Sequence, residues 1–150
     1  MLLKLLFVCV LVVVTVGIHA VGFSVLIRAL MKSRALTKSG FWSATWLALA
    51  LACWLLLIHL IEIAVWGLFY FWQGCMPDAE TGFYFSAVTY TTLGYGDLVL
   101  PNAWRILAPI ECLTGVLMCG LSTGIFFAIV SRRIDYWVKA KHSKNRADRP

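Results

Sequence analysis

Apolar positions along the chain gather into three long runs, separated by two intervals of opposite polar character. Between Lys4 and Arg28, the 23 residues from Leu5 to Ile27 carry no charge. As a helix they extend roughly 35 Å at about 1.5 Å per residue, enough to cross a bilayer. The second run spans Phe41 to Trp72, broken only by His59 and Glu62. Trp46 and Trp66 stand 20 residues apart in it, roughly 30 Å on a helix, the separation of two interfacial aromatic belts. The third begins near Ala103 and is free of charge from Cys112 to Ser131, where Arg132-Arg133 follows. The pattern predicts three transmembrane helices. The first run is longer than the 7–15 apolar residues of a signal peptide and is followed by no small-residue cleavage site, so it is read as a retained span.

The interval from Gln73 to Asn102 breaks the pattern, because Pro77 to Pro101 is too mixed to span and too apolar for a plain loop. Asp78 suits a helix N-cap and Glu80 the positive end of the dipole, which predicts a short helix over 79–91. At roughly 18 Å it cannot cross. A helix that dips in and an extended return remain, and non-helical backbone at membrane depth must be buried in protein or line water. The return is Thr92-Leu93-Gly94-Tyr95-Gly96-Asp97. Alternating right- and left-handed backbone turns successive carbonyls to one side, and glycine takes the left-handed conformation without a Cβ penalty, so Gly94 and Gly96 are the residues such a ladder needs. A carbonyl row with the Thr92 hydroxyl can replace the hydration shell of a bare cation.

Composition supports the same class. The chain of 150 residues is 61% hydrophobic and 13% charged, which excludes an ordinary soluble domain. Its formal charge of +6 reads as loop asymmetry rather than as a nucleic-acid surface. Arg28, Lys32, Arg34 and Lys38 follow the first run and seven basic residues lie from Arg132 onward, whereas 73–102 holds Asp78, Glu80 and Asp97 and no Lys or Arg. The amino terminus is therefore expected outside a plasma membrane and the carboxyl terminus in the cytoplasm, with the Lys-rich tail available to anionic lipid heads. No catalytic triad, HExxH or phosphate loop is present, so an enzyme is not expected and no cofactor is implied. No span repeats Arg or Lys every third position, so no voltage sensor is expected. Of five cysteines, Cys75 alone falls in the outer interval, where a Cys75–Cys75 bond between two chains is conceivable.

T-T-L-G-Y-G-D after an aromatic-rich short helix, with a span on each side, resembles the pore loop of the potassium-channel family over Phe41 to about Val130. The resemblance implies four pore loops around one axis. Backbone oxygens of Thr92, Leu93, Gly94 and Tyr95, with the Thr92 hydroxyl, would bind dehydrated K+ and Gly96 would complete the row. One loop per chain implies a homotetramer. Asp97, Thr91, Val88, Tyr84 and Phe85 are expected to support the filter. Three departures stand out: Leu93 replaces the usual Val, Tyr84-Phe85 the frequent Trp pair, and Val88 an acid found in some members. The expected fold is an all-α integral membrane protein divided into an amino-terminal helix (1–33), a pore module (34–131) and a basic tail (132–150). Within the module lie an outer helix (41–73), pore helix (79–91), filter (92–97) and inner helix (103–131). The expected function is passive, K+-selective conduction; the alternative is a non-conducting or poorly selective subunit that modifies another channel.

On a 3.6-residue period Cys112, Val116, Cys119 and Thr123 share a face, which the resemblance turns to a cavity. Glu111, Gly115 and Met118 lie beside it. Gly115 and Gly120 stand where similar channels carry inner-helix glycines; Gly115 reads either as a hinge or as close packing, and Pro109 as a bend in the outer end. Glu111 is expected to accept from a pore-helix hydroxyl such as Thr89 or Tyr90, since a lone acid in a span is costly, the alternative being that it raises the local K+ concentration. His59 and Glu62, three apart, read as a proton-sensing pair or a packing bracket, and His19 as a lone histidine. The first helix is expected on the lipid side of the second or as a bridge between subunits.

Overall fold

The computed structural model describes residues 2–33 and 40–147, with side chains for 4–33 and 40–139. Arg34, Lys38 and Arg149, used above to orient the chain, lie outside the described residues. The described residues form four helices and no strand: α1 (Leu2–Ser33), α2 (Phe41–Trp72), α3 (Ala79–Tyr90) and α4 (Leu107–Ala147). Lys4–Ser33, Phe41–Trp72 and Leu107–Lys139 are each long and apolar enough to span a membrane. The all-α reading with three spans and a short fourth helix therefore holds.

Helix α2 ends where Gly74 takes φ 66°, and Cys75 N–H and Gly74 N–H donate to the Tyr70 and Phe71 carbonyls. This paired closure satisfies carbonyls that the helix end would leave orphaned. Asp78 caps α3, its Oδ1 accepting from Thr81 N–H at 2.7 Å and Oδ2 from the Thr81 hydroxyl at 3.0 Å. These bonds hold the Asp78 carboxyl below the usual carboxylate range. α3 then crosses α2 at glycine on glycine: a Cβ on Gly67 would lie 2.8 Å from the Phe83 backbone, and one on Gly82 would strike the Gly67 carbonyl. Only bare backbone on both helices permits that approach.

Two boundaries differ from expectation. The inner helix starts at Leu107 rather than 103, because Pro101 and Asn102 open turns in which Trp104 N–H donates to Pro101 O and Leu107 N–H to Trp104 O. Pro109 is thus in the first helical turn, where its missing N–H has no intrahelical partner to lose. α4 also runs past Ser131 to Ala147 as one helix, since no Gly or Pro intervenes after Gly124.

Helix α1 packs antiparallel along α2 and touches α4 as well, so it lies between them rather than on α2 alone. Thr15 meets Trp66 (Nε1–H to Oγ1, 2.9 Å), His19 meets Glu62, and Gly22 meets Ile58, each step along α1 matched by a step back along α2. Trp54 Nε1–H adds a bond to the Gly22 carbonyl at 3.0 Å. At the far end Lys4 Nζ donates to Ala103 O at 2.7 Å, which places the start of α1 at the same end as the loop between α3 and α4. Val8, Leu11, Trp66, Phe69, Tyr70 and Leu107 are among the buried residues that close the core there.

Candidate functional site

The loop after α3 is built by positive φ at every second residue: Thr92 at 63°, Gly94 at 55° and Gly96 at 77°. Gly94 and Gly96 adopt this conformation freely. Thr92 does so against the preference of a β-branched residue, a local strain of about 1–3 kcal/mol of the kind concentrated at functional positions. The expected alternation is therefore one residue longer than the glycines indicated. Leu93 N–H and Gly94 N–H both donate to the Val88 carbonyl (3.0 and 3.2 Å), so the loop hangs from the last turn of α3. Val88 supports it through backbone, its side chain being buried.

Tyr84 Oη donates to Asp97 Oδ2 at 2.7 Å, tying the return strand to α3, and this bond holds the Tyr84 phenol above its ordinary range. Phe85 is buried edge-on to Tyr70 and takes no part in that tether. Thr91 Oγ1 donates to the Ala87 carbonyl at 2.6 Å and caps α3. Residues Thr91 to Asp97 are all exposed in the single chain, Tyr95 at 67% and Leu93 at 58%. An open cleft of about 540 Å³ lies beside them, lined by Tyr84, Val88, Thr92, Gly94, Asp97 and Cys112 among others.

Glu111 is fully buried, accepts from Tyr70 Oη at 2.7 Å and is hydrogen-bonded to Ser86 Oγ, which lies 2.9 Å from the Ile63 carbonyl. From α4 it thus joins α3 through Ser86 and α2 through Tyr70, and its partners are not the expected Thr89 or Tyr90. The reason is register: Gly115 of α4 abuts the Tyr90 carbonyl, which leaves Glu111, one turn earlier, opposite Ser86, one turn earlier on α3. Gly115 is thereby a packing glycine, whereas a Cβ on Gly120 would meet nothing. Val116, Cys119 and Thr123 are exposed and Cys112 partly so; the Thr123 hydroxyl donates to the Cys119 carbonyl at 2.9 Å.

His59 and Glu62 do not stand as an isolated pair. His19, expected to be alone, bonds Glu62 Oε1 through Nδ1 at 2.7 Å and is only 2% exposed. His59 bonds Tyr90 Oη and Ser122 Oγ, each at 3.0 Å, and its Nδ1 lies 3.4 Å from Glu62 Oε2, which also accepts from Tyr90. Sequence reasoning missed Tyr70, Ser86 and Ser122 and read His19 as alone. The available signal was depth: ionisable groups inside apolar runs pair at one level of the bilayer. All five cysteines are free within the chain, and burial pushes the half-buried Cys75 thiol up, away from the reactive thiolate.

Three helices able to span a membrane, packed with a short fourth helix and the exposed loop that follows it, define an all-helical membrane protein. A known family whose description is "Ion channel" matches residues 58–132, from mid-α2 through α3 and the loop to α4. That is half of the chain, and the chain belongs to this ion-channel family. No curated protein matches, and neither does any solved structure.

Proposed function

We propose that the chain forms a K+-selective channel as a homotetramer, each copy contributing one filter strand. The observation that carries this reading is the left-handed backbone at Thr92, Gly94 and Gly96, in register with the residues expected to present carbonyls to the ion. Such a ladder offers oxygens to a cation from one side only, so a full coordination shell needs copies around an axis. Tyr95 and Leu93, exposed in one chain, gain cover from neighbours in that arrangement. The carboxyl end of α3, the negative end of its dipole, adjoins Thr92 and favours a cation.

The face with Val116, Cys119 and Thr123 lines the cavity below, and Glu111 holds the inner helix to the pore helix from behind. Basic residues set the orientation, amino terminus outside and carboxyl terminus cytoplasmic, in the plasma membrane. The start of α1 sharing an end with the filter loop agrees with it. The basic end of α4 then lies at the anionic inner leaflet.

Gly94→Ala and Gly96→Ala test the assignment. A left-handed alanine costs about 1–2 kcal/mol, and the account expects a tetramer by native mass measurement with K+ over Na+ preference lost. Variants that keep full preference would refute it.

A further inference from the structure

Five side chains, drawn from all four helices, close a hydrogen-bonded ring at mid-depth. From Glu62 Oε1 it runs to His19 Nδ1 (2.7 Å), from His19 Nε2 to Ser122 Oγ (3.3 Å), and on to His59 Nε2 (3.0 Å). From His59 Nδ1 it continues to Tyr90 Oη (3.0 Å) and returns to Glu62 Oε2. Each link needs one hydrogen, so the ring needs five. Ser122 and Tyr90 bring one each, two neutral imidazoles bring one each, and an ionised carboxylate brings none. The ring is one hydrogen short.

We infer that this junction is a binding site for one proton, whose occupancy completes the ring that joins the four helices. With the proton bound, every donor has an acceptor and the ring is neutral overall, either as a His19 imidazolium against the Glu62 carboxylate or as a Glu62 carboxylic acid between neutral rings. Tyr90 keeps its hydroxyl hydrogen throughout. With the proton gone, one link becomes two facing lone pairs and a net negative charge remains among apolar helices, which is costly. Because His19 Nδ1–H still donates to Glu62 and Ser122 to His19 Nε2, the open link is the one between Ser122 on α4 and His59 on α2.

The other titratable groups near the ring belong to α4: Cys119, one turn from Ser122, and Glu111, which is engaged by Tyr70 and Ser86. On α1 the nearest others, Cys9 and Arg28, stand roughly 13 Å or more along the helix. On α2 the nearest are Cys53 and Tyr70, and on α3 Tyr84, which bonds Asp97 instead.

The direction of the pH effect follows from proton counts. Above about pH 6.5 unfolded histidines are neutral and an unfolded glutamate is ionised. The closed ring then holds one proton more than the unfolded chain, so the folded form weakens as pH rises, up to tenfold per pH unit. Glu62→Gln supplies the missing hydrogen covalently, since its carboxamide donates to His19 Nδ1 while its oxygen accepts from Tyr90.

The test is the melting midpoint of the full chain in lipid nanodiscs between pH 6.5 and 9, which does not depend on conduction. The expected result is a midpoint that falls for the wild type and stays level for Glu62→Gln. Parallel traces for the two proteins would overturn the inference. Should Glu62→Gln fail to fold, Ser122→Ala removes two links and leaves the carboxylate. It is expected to lose more than half of the wild-type pH slope, and retention of the full slope would overturn the inference. A rise in the wild-type midpoint with ZnCl2 at pH 7.5 that vanishes in His19→Gln would also overturn it, by assigning the ring to a metal cation.

Discussion

Gly115→Ala separates a packing glycine from a hinge. A Cβ at this position would lie 3.1 Å from the Tyr90 carbonyl carbon and closer still to its oxygen, so the obstacle is backbone and no rotamer change clears it. Overpacking costs about 1–3 kcal/mol, and a rigid obstacle places this case at the upper end. Alanine returns about 1 kcal/mol of helix propensity. The net loss is about 2 kcal/mol, roughly 30-fold in the folding equilibrium, which for a chain of this size corresponds to a drop of roughly 4–8 °C in melting midpoint. Gly120→Ala is the control, since a Cβ there meets no atom within 4 Å and only the propensity gain remains. Thermal melting in detergent or nanodiscs reads both. A Gly115→Ala protein that melts within a degree of wild type, with conduction alone altered, would refute the packing argument and restore the hinge.

Trp66→Phe keeps the buried ring but removes the Nε1–H that Thr15 accepts, while Thr15 itself still donates to the Leu11 carbonyl; a loss of about 1 kcal/mol by melting is expected. Asp78→Ala should raise hydrogen exchange at 79–82, the first turn of α3. Because the Asp78 carboxyl is held below its unfolded range, the same cap should persist above about pH 4 and disappear as pH falls through its lowered folded value. Tyr84→Phe should lower the K+/Na+ flux ratio without changing the melting profile below pH 9. In the wild type the Tyr84 bond, with its phenol raised, should hold until pH rises beyond the ordinary tyrosine range of about 10.

The spans and the short helix were legible because each follows from a local constraint. Bilayer thickness fixes the length of an apolar run, and Asp78 followed by Glu80 marks a helix start whatever surrounds it. The loop was legible through Gly94 and Gly96 but not through Thr92, whose side chain gives no hint of a left-handed backbone. The polar partners were the least readable. Glu62 bonds a histidine 43 positions earlier and Glu111 a serine 25 positions earlier, and both choices depend on how far one helix slides along another. Glycine contacts such as Gly67 on Gly82 and Gly115 on Tyr90 set that slide. A one-turn shift at Gly115 would have given Glu111 the Tyr90 or Thr89 partner that its position on the helix suggested. His19 looked solitary for the same reason: its partners lie on two other helices.

The central claim is selective conduction by this chain alone. Purified protein reconstituted in liposomes, with flux driven by a K+ gradient and then by an equal Na+ gradient, tests it most directly. The account predicts K+ flux well above Na+ flux from the wild-type chain without any other protein; equal fluxes, or none, would contradict it.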